Sequence, residues 1–561
     1  MSEIDYDAIP GTSHLLETDL INHMGKKDTD KGVILIPTPS DDPNDPLNWS
    51  YTRKLIQIFC IVLYCYGGGC VGCVIYSILT DIAAAPGVNI TVAQLNQGTG
   101  YSFLFLGLGN LVWLPLCQQY GKRPIYLISM IGVVGFNLWE PFIHSNGEWV
   151  ASKILHGFFY APIETLPSIT IADMFFEHER ATYMGIYGVA LFSSNYAAPM
   201  LGGLVNDALG WRWTIFIAII FAGVCTIGMF FLMEETRYDR KIRVKRNNDG
   251  GIISAITSRG EEKIPAIIEV LPKKNSDSED YDVADNLANQ TSVIEADEDF
   301  TYPPLKTFRQ RLSLTSGFQK ENHLRDYFLM PYRMVQFPIV LYSGFLYGTS
   351  LFFYSILNTT ESLVLGAEPY NFSSSMCGLA YASAVIFVFI CYPIAGWSTD
   401  WIKIHIAKKH NGISQAEDRL WILLVYTFLG PAALILWGVG AAHGIFWFAV
   451  VIGLGLMAGL CVIGCVSSVV YTLDCYPQMN MAAITVVIII RNTMNFGIDY
   501  AITPFITNVG LQNTFIACAF ICMACIGSFL IMTYTGLYWR KRTRKNYWRM
   551  VDAYRRKGVI S

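Results

Sequence analysis

Charge is what this chain has least of. Only 15% of its 561 residues are Asp, Glu, Lys or Arg, against 53% hydrophobic. Mean hydropathy is +0.37. A soluble domain carries about 25% charged residues, so an ordinary soluble class is excluded. The formal net charge of −4 supplies no field for a nucleic-acid partner. The first fifty residues are polar, without the basic start and apolar stretch of a cleaved signal peptide, so the first span is expected to act as the membrane signal. No GxxxxGK[ST] loop is present, which excludes ATP drive. Gly453, Gly455 and Gly459 imitate a nucleotide fingerprint but lie in an apolar run with no preceding strand. The 14 Cys give neither metal-ligand spacing nor a disulfide framework. Cys60, Cys65, Cys70 and Cys73 share one apolar run, and Cys518, Cys522 and Cys525 another. Cysteines in such runs pack as small hydrophobes. No cofactor, no metal and no enzymatic chemistry are expected.

What is present is a set of apolar runs long enough to cross a bilayer. They fall at 55–84, 98–119, 124–144, 149–174, 183–205 and 212–233, then at 332–357, 374–398, 420–441, 445–473, 481–508 and 512–535. The expected fold is an all-α membrane protein of twelve transmembrane helices in two six-helix halves. Its parts are an N-terminal tail (1–50), a first half (51–235), a mobile loop (236–330), a second half (331–536) and a basic tail (537–561). The loop mixes acidic and basic runs and is read as a tether, with an amphipathic piece near Phe308 to Leu314. Regulation by phosphorylation is the other reading of it. The positive-inside rule places both termini in the cytosol. Lys122, Arg123, Arg180, Lys403 and Arg419 then fall in inner loops, while the turns at 86–96, 358–373 and 509–511 hold no Lys or Arg. N-x-S/T sequons at Asn89, Asn358 and Asn371 lie in outer turns on this topology and are candidate glycosylation sites.

The fourth run carries Lys153, His156, Tyr160 and Glu164 at steps of three, four and four. On a helix these share a stripe about 80° wide. An ionisable group at a bilayer centre costs about 2.5–3.5 kcal/mol on insertion scales, so such a stripe faces a bundle interior or a wet cavity. Glu164 is the leading candidate for exchanging a proton against a cation; the bland alternative is a Glu paired permanently with a base. Direct pairing with Lys153 is excluded by about 16 Å of helix rise. Lys153 is open to two readings, proton coupling or snorkelling to the interface. His156 is either a group that changes charge near physiological pH or a hydrogen-bonded structural His.

Arg491, Asn495 and Asp499 form a second stripe in the eleventh run. Asp499 is assigned a substrate or proton-coupling role, while Arg491 is expected to hold an inner carboxylate. Asp81 in the first run either attracts cations into a vestibule or caps its helix. Tyr347, Tyr354, Asn358 and Glu361 in the seventh run offer aromatic faces and a carboxylate. Aromatic faces attract ammonium groups by about 0.5–2 kcal/mol, although such stripes are more often packing. Glu140 and Asp173 look peripheral, the latter paired with Arg180.

The plan of six spans, a loop and six spans resembles the major facilitator superfamily across the membrane part. Several patterns are similar to its drug:proton antiporter branch with twelve spans. Lys153-Ile-Leu-His156-Gly157 stands where that branch has Arg-x-x-Gln-Gly. Gly185 and Ala198-Pro199-Met-Leu-Gly202-Gly203 match its antiporter motif, with Ser194 and Ala198 replacing glycines. After the second span, Gln118-Gln119-Tyr120-Gly121-Lys122-Arg123 lacks the acidic residue usual there, and Gly396-x-x-x-Asp400 is a partial second copy. The Asp42 to Trp49 segment, Arg491-Asn492 with Pro504, Ala161-Pro-Ile-Glu164 and Gly210-Trp-Arg-Trp are most similar to fungal permeases for histidinol and polyamines. The resemblance implies a monomeric plasma-membrane secondary transporter with alternating access and a taste for organic cations. It implies a cavity lined by the first, fourth, seventh and tenth spans. Proton-coupled uptake is the leading expectation. A proton-coupled multidrug exporter and a nutrient sensor of the same fold are the alternatives. The expected partners are a small organic cation, the proton and membrane lipids.

Overall fold

The computed structural model describes residues 6, 9–14, 29–30, 33–34, 42–238, 243–246, 252–257, 260–263, 294–295, 306–313, 323–409, 413–557 and 559. Among these, ten helices are long and apolar enough to cross a bilayer unaided. The two other expected spans are 146–174, broken into three pieces, and the helix Glu177–Leu209. Both pack inside the same bundle, and the architecture is the expected all-α one. The first span is Tyr51–Ala84, the second Val92–Tyr120, the third begins at Lys122, and the sixth is Trp211–Leu232. In the second half, the seventh is Pro338–Leu365, the eighth Ser374–Lys409, the ninth Leu423–Ala442 and the tenth Trp447–Cys475. The eleventh is Asn480–Val509 and the twelfth begins at Leu511.

The halves repeat one another locally. The fifth span meets the sixth at Gly210, with φ +84°, and the eleventh meets the twelfth at Gly510, with φ +86°. Only glycine adopts that backbone without strain. In each case a threonine four residues on, Thr214 or Thr514, donates its hydroxyl back to the glycine carbonyl. Across the halves, the second span packs on the eleventh and the fifth on the eighth. The fifth and eighth approach closely: a side chain at Gly188 would run into the Tyr392 ring, and one at Gly203 into the Ser374 backbone. At this outer end Asp81 accepts from Ser374 and Asn206, and Asp207 from Ser375. These contacts shut the outer side.

Span boundaries moved where local chemistry overrides hydropathy. The run expected at 332–357 is two elements: the helix Leu324–Met334, and the seventh span starting at Pro338. Proline's fixed φ suits the first helical turn, where its missing N–H costs nothing. The span therefore runs on to Leu365 and carries Asn358 and Glu361 inside it rather than in an outer turn. Asn358 is only 8% exposed and accepts from the Tyr381 hydroxyl at 2.7 Å. Its expected glycosylation is thereby overturned, because no glycan can be attached inside a packed helix. Asn89 and Asn371 are exposed in turns.

The inner end, the side of both tails, is laced by ion pairs. Asp173 pairs with Lys122, and Arg180, near it in the same inner region, donates to the Ala172 carbonyl. The acidic residue absent after the second span has a substitute from the sixth: Glu235 accepts from the backbone of Lys122 and Arg123. Asp474 holds Lys403 and Arg419. The Asp400 side chain lies outside the described residues. So does most of the loop expected at 236–330, whose described pieces include a four-stranded sheet and the short helix Phe308–Arg311. The N-terminal strand Thr12–His14 pairs antiparallel with Ile413–Gln415 in the second half. Beneath it, buried Arg540 binds Glu417 and donates to the Pro10 carbonyl at 2.9 Å.

Breaking a buried ion pair from one side costs about 3–5 kcal/mol. Arg540→Ala is therefore expected to lower the thermal midpoint of the purified protein markedly, with partial recovery when Glu417→Gln is added. In a glycosylating host, Asn358→Gln should leave gel mobility unchanged before and after glycosidase treatment, whatever Asn89 and Asn371 carry.

Candidate functional site

The fourth span does not continue as one helix. Asn146–Tyr160 gives way to a tight turn, Ala161–Glu164, before helix resumes at Leu166. Pro162 and Pro167 remove two backbone donors, which prevents a continuous ladder. The break lies at Ala161–Glu164, just before Pro167. It nevertheless keeps Lys153, His156, Tyr160 and Glu164 on one side, and all four line a single cavity of about 100 Å³ between the halves. The seventh span adds Tyr347, Tyr354 and Asn358, the fifth Asn195 and Tyr196, the first Tyr76, and the eleventh Arg491.

Glu164 closes the inner side of this cavity. Its carboxylate forms an ion pair with Arg491 of the opposite half. The Asn492 amide also donates to Glu164, at 3.2 Å, while the amide oxygen accepts from Arg491 at 2.7 Å. Arg491 further donates to the Tyr347 hydroxyl at 2.9 Å, and its guanidinium lies 4.8 Å from that ring's centre. Both charged side chains are nearly buried, at 9% and 5% exposure. The base that the bland reading of Glu164 required is thus Arg491, and the carboxylate that Arg491 was expected to hold is Glu164 itself, on the cavity wall.

On the outer side of the first half, Lys153 is paired with Glu140 at 2.7 Å, both fully enclosed. The snorkelling reading of Lys153 and the peripheral reading of Glu140 are both overturned, because burial of one charge requires the other. His156 Nδ1 lies 2.9 Å from the Asn137 amide nitrogen. With that nitrogen donating, Nδ1 accepts and the ring proton sits on Nε2.

The remaining candidates stand outside the cavity wall. Asp499 accepts from Thr359 at 3.2 Å. Glu361 is fully buried near Tyr381 and Cys377. Among the described residues, no cationic side chain pairs with either. Asn495 is buried in the same helix with neither amide atom bonded. Asp81 belongs to the outer closure rather than to the cavity. Tyr196 and Asn195 were missed by the sequence reading. The polar run Ser193 to Tyr196 in an otherwise apolar helix was the available signal. Tyr196 stacks obliquely on Tyr354 with centroids 4.9 Å apart, across the halves.

Comparison with known proteins agrees with this architecture. The profile of the Major Facilitator Superfamily matches residues 58–496. The chain is 26% identical to Protein HOL1 of Saccharomyces cerevisiae, covering 99% of this chain and 98% of that one. It is 23% identical to the MFS antiporter QDR3 of Candida albicans, covering 97% and 85%. Among solved structures, the human organic anion transporter MFSD10 matches with a TM-score of 0.48 at 16% identity, covering 85% of this chain and 99% of that one. The chain is a multi-pass membrane transporter rather than an enzyme, and it belongs to the Major Facilitator Superfamily.

Proposed function

We propose that this transporter takes up organic cations, polyamines and histidinol among them, by alternating access coupled to protons, at the plasma membrane. The observation that carries the reading is Glu164: a carboxylate on the cavity wall between the halves, beneath tyrosine faces, neutralised among the described residues by an arginine of the other half. An ammonium group is the chemical substitute for that guanidinium. Tyr160, Tyr196, Tyr347 and Tyr354 offer the aromatic surfaces against which such a group gains about 0.5–2 kcal/mol.

In this mechanism the incoming cation displaces Arg491 from Glu164. The exchange neutralises Glu164 with the ammonium group, leaves Arg491 on its Tyr347 and Asn492 hydrogen bonds with its positive charge no longer offset, and removes the charge link between the halves. Substrate exchange at Glu164 then acts on the interface between the halves, where midplane sites of such repeats lie. A proton on Glu164 is the alternative occupant, so proton and substrate exclude one another there. The present cavity of about 100 Å³ is smaller than the roughly 300–1,000 Å³ of ordinary ligand sites. The outer-closed conformation therefore represents a contracted site that must widen to load. The antiporter named among the relatives supports a second reading, export of cationic drugs against protons, because the same cycle runs in either direction.

Uptake of labelled spermidine and putrescine into proteoliposomes, with and without an imposed pH gradient, tests the reading. Wild type is expected to accumulate both in response to the gradient, and Glu164→Gln to lose the flux by about a hundredfold. Arg491→Gln is expected to split the parameters: spermidine binds about tenfold more tightly, because the internal competitor is gone, while turnover falls. Undiminished flux in Glu164→Gln would remove that carboxylate from the site. Flux of cationic drugs alone, with none of either polyamine, would select the exporter.

A further inference from the structure

The twelfth span, Leu511–Arg556, is 46 residues long, more than twice the roughly 20 that a bilayer needs. After a kink at Ser528 a single helix, Phe529–Arg556, carries the chain along the inner ends of the second half. One side of it is buried: Met532, Gly536, Arg540, Tyr547, Met550, Val551 and Tyr554. Tyr547 packs on Phe337 and Tyr476, at the inner ends of the seventh and tenth spans.

The opposite side has a different character along its length. Ile531, Tyr534 and Tyr538 are 67%, 78% and 57% exposed, as expected of side chains facing lipid and its interface. At about 100° per residue, Lys541, Arg542, Lys545 and Arg549 fall in the same stripe, about 100° wide, centred opposite the buried face. All four are exposed. Between Phe529 and Val551 the helix contains no Asp or Glu. Arg542 is steadied by donation to the Tyr538 hydroxyl at 3.2 Å and by the Trp539 ring. Lys541, Arg542 and Lys545 lie within about 10 Å of Tyr538 along the helix axis. Whatever the tilt, they stay close to the headgroup layer, at a distance comparable to the roughly 8 Å screening length.

We propose that Lys541, Arg542 and Lys545, continuing the lipid-facing side of the twelfth span, bind the headgroups of anionic phospholipids in the adjoining leaflet. The basic stripe fixes the helix against the membrane surface while its buried face holds the inner ends of the second half. The site is separate from the cavity and holds whichever substrate the transporter carries.

The test uses the full chain in a neutral detergent, titrated with short-chain phosphatidylserine and phosphatidylcholine and read by native mass spectrometry. Phosphatidylserine is expected to bind in preference and to be displaced by salt. In K541Q/R542Q/K545Q its dissociation constant should rise about a hundredfold, with phosphatidylcholine unchanged, while K541R/K545R keeps the parent affinity. Equal phosphatidylserine binding by parent and triple variant would overturn the proposal. So would equal binding of the acyl-free headgroup, glycerophosphoserine, which would make the stripe a general anion site. Should the triple variant fail to elute as a folded protein, K541Q and K545Q singly should each weaken binding about fivefold; unchanged affinity in both would overturn it as firmly.

Discussion

An ion pair that joins two moving bodies has to be stable enough to survive burial and weak enough to be exchanged. In the proposed mechanism Glu164 and Arg491 carry that constraint at the centre of this bundle. Taking either charge out of water alone costs several kcal/mol, and their mutual attraction offsets that cost only with good geometry and extra hydrogen bonds. Asn492 and Tyr347 supply those bonds. All of these groups except Glu164 belong to the second half. Arg491 is thus held in place by its own half whether or not Glu164 is present, and Glu164 has fewer fixed partners. In the proposed mechanism that asymmetry makes the carboxylate the point of exchange.

The other buried charges obey the same constraint in different ways. Lys153 and Glu140 lie within one half, so rocking of the halves leaves them intact. A pair of that kind holds the third and fourth spans in register and contributes no net charge to the cavity. Asp499 and Glu361 have no cationic partner among the described residues and lie in one half, outside the cavity wall. The charges that line the cavity are therefore paired in the outer-closed conformation, and in the proposed mechanism an incoming cation competes with Arg491 for Glu164.

Much of the fold is written in hydropathy and glycine placement, which act locally and are readable locally. The stripe Lys153, His156, Tyr160 and Glu164 was legible because spacing of three and four residues sets side-chain direction. It survived a helix break because the tight turn over Ala161–Glu164 advances the chain with a similar twist. Its partners were not legible. Asn492 and Glu164 are 328 positions apart, and no local pattern says which helices meet. Glu140 read as peripheral because it stands beside Pro141 where an apolar run is ending; its partner arrives from the next span. The seventh span was misplaced because an amphipathic helix, Leu324–Met334, abuts it, and Pro338 rather than hydropathy sets the start. That shift moved Asn358 from a turn into the cavity wall.

Alternating access requires the outer contacts and the central pair to fail at different moments. The outer closure is built from short side chains and backbone: Ser374 and Ser375 donating to Asp81 and Asp207, with Gly203 against the Ser374 backbone. Such contacts form only at close approach and are lost after a small separation. The Glu164–Arg491 pair spans the same two halves through longer side chains, which tolerate more separation than the serine contacts. In the proposed mechanism a small rocking displacement opens the outer side first, admits water and substrate, and leaves the central charges paired until an ammonium group takes the arginine's place on Glu164. On this ordering the cavity never presents an uncompensated carboxylate to an empty, water-poor interior, and the low dielectric that makes the pair strong also makes its exchange depend on a cation of the right charge.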